Sequence, residues 1–296
     1  MNEAIQLIIF MLALIVLAPL LGKYMARVFM GGNHLLKPVF GWLEKMVYRI
    51  SGIKSEEEMN WKTYASGVLL FNLFGFVLLF LLQMLQAYLP LNSEKLPNVS
   101  WHLAFNTAMS FTTNTNWQSY SGENTLSYLV QMLGLTVQNF VSAATGIAVA
   151  LALIRGLTRK TTDVLGNFWV DVTRSVIYVL LPLAVILTLA LVGQGVVQTL
   201  SHYEKAITLQ GAEQVIPLGP AASQIAIKQL GTNGGGFFGA NSAHPFENPT
   251  PFSNFLELLA IIIIPAGLVF TFGHYMKSEG QARAIFINMI FLFVAG

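Results

Sequence analysis

Gly231-Thr-Asn-Gly-Gly-Gly-Phe-Phe238 follows a helix-like run at Ser223–Leu230, and its three consecutive glycines between apolar segments describe a backbone that is neither helix nor strand. Without a Cβ, glycine reaches positive φ at no steric cost, so such a run can hold its carbonyls in directions other residues resist. The chain has 296 residues, 54% hydrophobic and 10% charged. An ordinary soluble domain carries about 25% charged residues, so this chain cannot cover a globular surface with polar groups and reads as an integral membrane protein. Irregular backbone at membrane depth is tolerated where protein buries it or where it lines an aqueous path. Carbonyl oxygens in such a path are what a dehydrated alkali cation needs in place of its water shell. The stretch reads as an ion filter.

Working outward, a spanning helix needs about 20 mainly apolar residues. Six candidates appear: Ala4–Val28, Tyr64–Leu85, Leu126–Leu153, Phe168–Val192, Phe255–Phe272 with Pro265 as a kink, and a sixth starting near Arg283 that is incomplete at Gly296. Leu35–Ile50 alternates apolar and basic residues and reads as a surface-lying amphipathic helix. Met1-Asn-Glu-Ala lacks the basic n-region of a signal peptide, so the first apolar run is expected to stay as a membrane helix. The net charge is +2, and the basic residues gather in alternate loops: Lys23 to Lys62, then Arg155, Arg159 and Lys160, then Lys277 and Arg283. The opposite loops hold only Lys95, Lys205 and Lys228. The positive-inside bias makes the first group cytoplasmic and the N-terminus external. No basic patch points to nucleic acid, and with no cysteine there is no thiolate metal site or Cys nucleophile.

The two external stretches match. Leu103-Ala-Phe-Asn-Thr-Ala-Met-Ser-Phe-Thr-Thr-Asn-Thr-Asn-Trp117 sits over Ala222-Ser-Gln-Ile-Ala-Ile-Lys-Gln-Leu-Gly-Thr-Asn-Gly-Gly-Gly236, with Thr113-Asn114 on Thr232-Asn233. Further on, Glu123-Asn124 falls on Glu247-Asn248. The fold class is therefore an all-α polytopic membrane protein built from repeated span, pore helix, filter loop and span units. The divisions are 1–62 (first span plus cytoplasmic amphipathic segment), 63–160 (first repeat), 161–282 (second repeat with an extra external loop) and 283–296 (start of a further span). A pore helix entering from outside turns its negative C-terminal end toward mid-membrane, which favours a cation there. Thr112, Thr113, Asn114, Thr115 and Asn116, with Gly231, Thr232, Asn233, Gly234, Gly235 and Gly236, then offer backbone and side-chain oxygens. These ligands are neutral, unlike the carboxylate cages of Ca²⁺ and Mg²⁺. Potassium, which dehydrates more readily than sodium, fits them. Glu123 and Glu247 lie just beyond each loop, as caps of the following span or as a ring of negative potential at the pore mouth.

Other polar residues have blander readings. The five histidines are dispersed, with no paired metal-ligand spacing. Asp171 and Arg174, at i and i+3, read as an interfacial ion pair. Glu257 reads as snorkelling near the outer interface, and Gln131, Gln138 and Asn139 as amides bonding between helices. No Gly-x4-Gly-Lys-Ser/Thr loop and no Asp-Lys-Thr-Gly-Thr-like phosphorylation site is present, so the chain has no ATP-hydrolysing motif of its own.

Thr113-Asn-Thr-Asn-Trp-Gln-Ser-Tyr-Ser-Gly122, Thr136-Val-Gln-Asn-Phe140, Gly231 through Phe238, Asn241-Ser-Ala-His-Pro-Phe-Glu-Asn248 and Glu58-Met-Asn-Trp61 together resemble the potassium-transporting A subunit of the Kdp pump. The resemblance covers essentially the whole chain. It implies a bacterial plasma-membrane protein of the superfamily of potassium transporters, with four such units around one pore and K⁺ as the transported ion. The implied partners are a P-type ATPase catalytic subunit and small accessory subunits. Chains of that family are nearly twice as long and carry a third and fourth filter loop. This chain is expected to be an N-terminal portion, or to be completed by a second chain. The alternatives are a passive or ion-coupled potassium transporter with no ATPase partner, and a non-functional fragment of the pump subunit.

Overall fold

The computed structural model describes residues 3–159 and 161–295, the side chain of Glu3 excepted; Lys160 and Gly296 lie outside them. Eleven α-helical segments are present among the described residues. Five helical stretches are long and apolar enough to cross a membrane: Ala4–Phe29, Trp61–Met84, Val130–Thr158, Phe168–Gly193 and Pro251–Met276. The first is helix α1 (Glu3–Phe29), the second α3 (Trp61–Met84) and the fifth α10 (Pro251–Met276), whose helical backbone continues through Pro265. The third and fourth each contain a wider π-helical turn. Val130–Thr136 leads into α6 (Val137–Thr158), and Ser175–Leu180 separates α7 (Phe168–Arg174) from α8 (Leu181–Gly193). The sixth apolar segment forms α11 (Glu279–Ala295), 17 residues long. The chain is a multi-pass helical membrane protein.

The chain divides into two compact units. One comprises Met1–Val68, Ala144–Pro182 and Leu258–Gly296. In it α1 lies against α10 through small residues: a Cβ on Gly22 would stand 2.5 Å from the Gly267 carbonyl and from Phe270 Cβ. Backbones that close exclude bulkier side chains, as is common where membrane helices pack. Thr271 Oγ1 seals the contact by donating to Gly22 O and Gly267 O, 3.1 Å each. Leu14, Ala18, Ala266 and Phe286 form the apolar cluster beside it.

Helix α2 (Lys37–Ser51) exposes an apolar stripe of Val39, Trp42, Met46 and Ile50, as a helix lying on a membrane surface would. Its opposite face buries Glu44, whose carboxylate accepts from Arg174 Nε (2.8 Å), Tyr178 OH (2.7 Å) and Tyr48 OH (2.8 Å). The local pairing of Asp171 with Arg174 does not form. Asp171 instead accepts both Arg155 nitrogens, at 2.5 and 2.8 Å, and Tyr64 OH at 3.0 Å. The reason is burial: Asp171 and Arg155 are both inside the unit, where a bidentate pair satisfies more of each charge than an i, i+3 contact could. At the start of α7, Asn167 Oδ1 caps the amides of Trp169 and Val170.

The other unit comprises Leu69–Ala143 and Leu183–Glu257. Its apolar centre is Leu79, Val99, Ala104, Ala108, Phe111, Leu126, Val130 and Leu135. It holds two short helices, α4 (Trp101–Thr112) and α9 (Ala221–Leu230), and the single turn α5 (Gly122–Thr125). At about 1.5 Å per residue both short helices fall well below the ~30 Å hydrocarbon thickness. Between α8 and α9 the sequence reading names no strand, yet β1 (Glu204–Ile207) and β2 (Glu213–Ile216) pair as an antiparallel hairpin closed at Gly211.

Candidate functional site

The site belongs wholly to the second unit and begins where α4 and α9 end. Both helices finish in the same way. Thr115 N donates to Ser110 O (2.9 Å) and Asn114 N to Phe111 O (3.2 Å); Asn233 N donates to Lys228 O (2.9 Å) and Thr232 N to Gln229 O (3.1 Å). Such 6→1 and 5→2 pairs define a Schellman ending, whose penultimate residue is left-handed. Here those residues are Asn114 (φ 63°) and Thr232 (φ 55°). Glycine is the usual occupant. Asn tolerates the region through its short polar side chain, whereas a β-branched Thr there is a true outlier. The hydrogen bonds also set the loops one residue away from the sequence match: Asn114 corresponds to Thr232, and Asn116 (φ 54°) to Gly234 (φ 107°). Side-chain identity favoured Thr on Thr, but the helix ends decide the backbone.

Past these ends the two loops bond to one another. Asn114 Nδ2 donates to Gly231 O (3.0 Å), while its Oδ1 accepts from Ser142 Oγ (2.7 Å) and from Asn233 Nδ2. Asn116 Nδ2 donates to Gly235 O (2.9 Å) and to Asn139 Oδ1 (2.8 Å). Gln118 exchanges two bonds with Gly236, Nε2 to O at 2.8 Å and N to Oε1 at 2.9 Å. The backbones approach so closely at Gly235 that a Cβ there would overlap Asn116 O.

Burial alternates along both loops. Asn116, Asn233 and Gly235 are buried and Asn114 is half-buried, whereas Thr113, Thr115, Thr232 and Gly234 are exposed. The carbonyls of Gly231, Gly235 and Gly236 are taken by the amides just named. Those of Thr113, Asn114, Thr115, Thr232, Asn233 and Gly234 accept no hydrogen bond among the described residues. Thr112 ends α4, and its buried Oγ1 has no partner among those residues either. The asparagines thus brace the loops from behind, and Asn114 Oδ1, already accepting twice, is not a free ligand. The arrangement offers neutral oxygens beside two negative helix ends, a chemistry suited to a weakly hydrated monovalent cation.

Residues 8–296 match the family model described as potassium-transporting ATPase A subunit. The chain belongs to that family. The potassium-transporting ATPase potassium-binding subunit of Pseudomonas fluorescens (strain SBW25) is 61% identical over 290 residues, covering 98% of this chain and 51% of that protein. Its counterpart in Pseudomonas aeruginosa is 59% identical over 295 residues, 100% of this chain and 52% of that protein. That of Herpetosiphon aurantiacus is 57% identical over 297 residues, 97% and 51% respectively. The chain spans about half the length of the curated relatives it matches.

In this member of the potassium-transporting ATPase A subunits, the two glutamates beyond the loops turn inward. Glu247 is buried, pairs with Lys228 Nζ and accepts Phe238 N at 3.2 Å; the half-buried Glu123 accepts Gly239 N at 2.8 Å. Glu257 does not snorkel: it is buried and accepts from Gln229 Nε2 at 2.6 Å. The Gln229 amide also reaches Ser242 Oγ at 2.7 Å. Of the amides on the third span, Asn139 holds Asn116, and Gln131 Oε1 accepts from Gln224 Nε2 at 3.0 Å. The π-helical turn contributes here, since Gln131 O is reached by both Thr136 Oγ1 (2.9 Å) and Gln224 Nε2 (3.2 Å). Sequence reasoning set Lys228 among the loop lysines and missed its burial. Its position two residues before the end of an otherwise apolar and amide-bearing run was the available signal.

Proposed function

We propose that this chain carries two of the four filter loops of the potassium-binding, translocating subunit of an ATP-driven potassium uptake complex. In this reading the unbonded carbonyls within the loops 113–116 and 231–236 replace part of the hydration shell of K⁺. The observation that carries it is the set of six loop carbonyls, at Thr113–Thr115 and Thr232–Gly234, that accept no hydrogen bond among the described residues while the neighbouring asparagines are tied behind them. A dehydrated alkali cation takes such oxygens in place of water. The names of the relatives, potassium-binding subunits of a potassium-transporting ATPase, agree with this chemistry.

The rest of the reading follows from charge and family. The basic segments at 23–62, 155–160 and 277–283 lie on the cytoplasmic side of a bacterial plasma membrane, and the N-terminus lies outside. In sequence, the Trp61–Met84 and Val130–Thr158 spans flank α4 and its loop, and the Phe168–Gly193 and Pro251–Met276 spans flank α9 and its loop, as two repeats of one unit. Potassium enters from outside and sheds water at the loops. The work of ATP hydrolysis is done on a P-type ATPase partner, with small accessory subunits completing the complex.

The test is a chimera in which this chain replaces the matching half of the Pseudomonas fluorescens relative, expressed with that organism's other subunits in cells that depend on the complex at low external potassium. Growth and rubidium uptake are expected, and Gly234→Asp, which forces a carboxylate onto a left-handed backbone, is expected to abolish uptake at low potassium. Uptake with unchanged affinity in the Gly234→Asp chimera would overturn the assignment.

A further inference from the structure

The loop from Gly231 to Phe238 is tied to one residue, Lys228, through both its main chain and its side chain. The Lys228 carbonyl accepts Asn233 N at 2.9 Å. Its Cδ lies 3.1 Å from where a Cβ on Gly236 would stand. Its Nζ pairs with Glu247 Oε2, and the other oxygen of that carboxylate accepts Phe238 N. Lys228 therefore meets the loop with its backbone carbonyl near the start, and with its side chain at Gly236 and, through Glu247, at Phe238. Both members of the pair have 0% side-chain exposure.

Packing alone does not account for this. Lysine is among the residues least often fully buried, and replacing a buried ion pair by apolar side chains of like volume is often neutral or stabilising. A bare ammonium behind a cation-binding backbone would also repel the ion, and Glu247 cancels that charge at the point of contact. What the pair supplies, and a methionine could not, is a directional tie between the end of α9 and the amide that closes the loop. Whether cavity size or carbonyl field sets the choice of ion in a backbone filter, both depend on where the loop backbone is held.

We infer that Lys228 is a positioning residue that, through Glu247, fixes the width of the Gly231–Phe238 loop and so determines which monovalent cation it accepts. The inference rests on the proposed reading of that loop as part of a potassium filter. Lys228 acts through the backbone and makes no contact with the ion.

The experiment uses the chimeric complex, with KM for K⁺, KM for Na⁺ and maximal uptake rate measured on the amount of assembled complex. Lys228→Met is expected to raise KM for K⁺ and to lower the Na⁺-to-K⁺ ratio of KM values, each by roughly tenfold, a change equal to about 1.4 kcal/mol, with little change in maximal rate. Lys228→Arg, which keeps the tie, is expected to stay near the parent. Gly236→Ala presses on the Lys228 methylenes with the ion pair intact, and it is expected to lower the ratio even if Lys228→Met fails to assemble. An unchanged ratio in assembled Lys228→Met or Gly236→Ala overturns the inference. So does a fall in maximal rate with the ratio intact, which is what a purely structural role would give. Gly234→Asp separates the two levels. If it too leaves KM for K⁺ unchanged, the filter reading has failed; if it raises KM while Lys228→Met does not, only the role of Lys228 has.

Discussion

Glu123 and Glu247 hold consecutive amides of one loop, Glu247 taking Phe238 N at 3.2 Å and Glu123 taking Gly239 N at 2.8 Å. Matched in sequence, they do matched work, fixing the chain where it leaves the glycine triplet. They differ in what surrounds them, since Glu247 is fully buried against Lys228 and Glu123 is partly exposed. A hydrogen bond to a charged group contributes about 1.5–3 kcal/mol, which bounds the loss in Glu123→Ala. Removing one partner of a buried pair costs about 3–5 kcal/mol, because the other charge stays inside unpaired. Glu247→Ala is therefore expected to lower the thermal unfolding temperature in detergent clearly more than Glu123→Ala. Equal losses would mean that Lys228 does not depend on Glu247.

Asn116 gives both protons of its amide nitrogen away, one to Gly235 O and one to Asn139 Oδ1. Asn116→Ala leaves two buried acceptors without a donor, a loss of about 1–3 kcal/mol for each left unpaired. Asn116→Asp is expected to be worse, since an ionised carboxylate only accepts and would face two further acceptors. On the proposed function both variants raise KM for K⁺, the Asp more than the Ala. An Asp milder than the Ala would show that Asn116 does not serve as the donor to Gly235 O and Asn139 Oδ1.

The spans and the two Thr-Asn loops were legible because their signals are local: apolar runs of the right length, and glycines where no regular backbone fits. Partners distant in sequence were not. The i, i+3 rule joined Asp171 to Arg174, but Asp171 bonds Arg155 across the turn before α7 and Arg174 bonds Glu44 on α2. Lys228 lies in the same periodicity as its apolar neighbours, so its burial became visible only with Glu247 folded beneath it. The one-residue shift between the loops was hidden for a related reason. Identity of side chains aligned Thr113 with Thr232, whereas the Schellman hydrogen bonds depend on backbone and equate Thr113 with Gly231. The Asn amide nitrogens brace the loops through nearby carbonyl, amide and hydroxyl oxygens. Asn114 Oδ1 accepts twice, whereas Asn116 Oδ1 and Asn233 Oδ1 are buried without a partner among the described residues.

Protonation will act on the first unit at two separate ranges. His34 lies edge-on to the rings of Tyr24 and Tyr178 and also faces Lys37, Glu44 and Arg174. Burial, then the Lys37 charge, push its imidazole below the ordinary value, only partly opposed by Glu44. Below pH about 6.5 the unfolded chain takes up a proton that folded His34 resists, so stability falls as pH drops from that value toward the lower folded one. Glu44 is also held low: burial works to raise it, and the hydrogen bonds from Arg174, Tyr178 and Tyr48 outweigh burial. Its stabilisation is present above the unfolded carboxylate value of about 4.3 and is lost as pH falls further, through the folded one. His34→Gln is expected to flatten the fall in unfolding temperature between pH 7 and pH 5 on an assay scale of about two units, leaving the loss below about pH 4.3 in place. A fall between pH 7 and pH 5 identical to the parent would remove His34 as its source.

Thr232 and Asn114 occupy the same left-handed step at the ends of α9 and α4, with opposite consequences for replacement by glycine. A β-branched residue held there costs about 1–3 kcal/mol, and among the described residues Thr232 Oγ1 bonds only the adjacent Gly231 O, at 2.7 Å. Glycine relieves the strain and returns about 0.4–1 kcal/mol through greater freedom of the unfolded chain, so Thr232→Gly is expected to stabilise the protein by roughly 1 kcal/mol. Asn114 pays less for the same conformation and carries three bonds through its side chain, to Gly231, Ser142 and Asn233. Asn114→Gly is therefore expected to destabilise. Under the proposed function both raise KM for K⁺, because each frees a loop end whose backbone the ion needs held. Unfolding temperature and uptake KM measured on the same preparations decide it. A Thr232→Gly variant that is both more stable and unchanged in KM would mean that strain at Thr232 serves no purpose in binding.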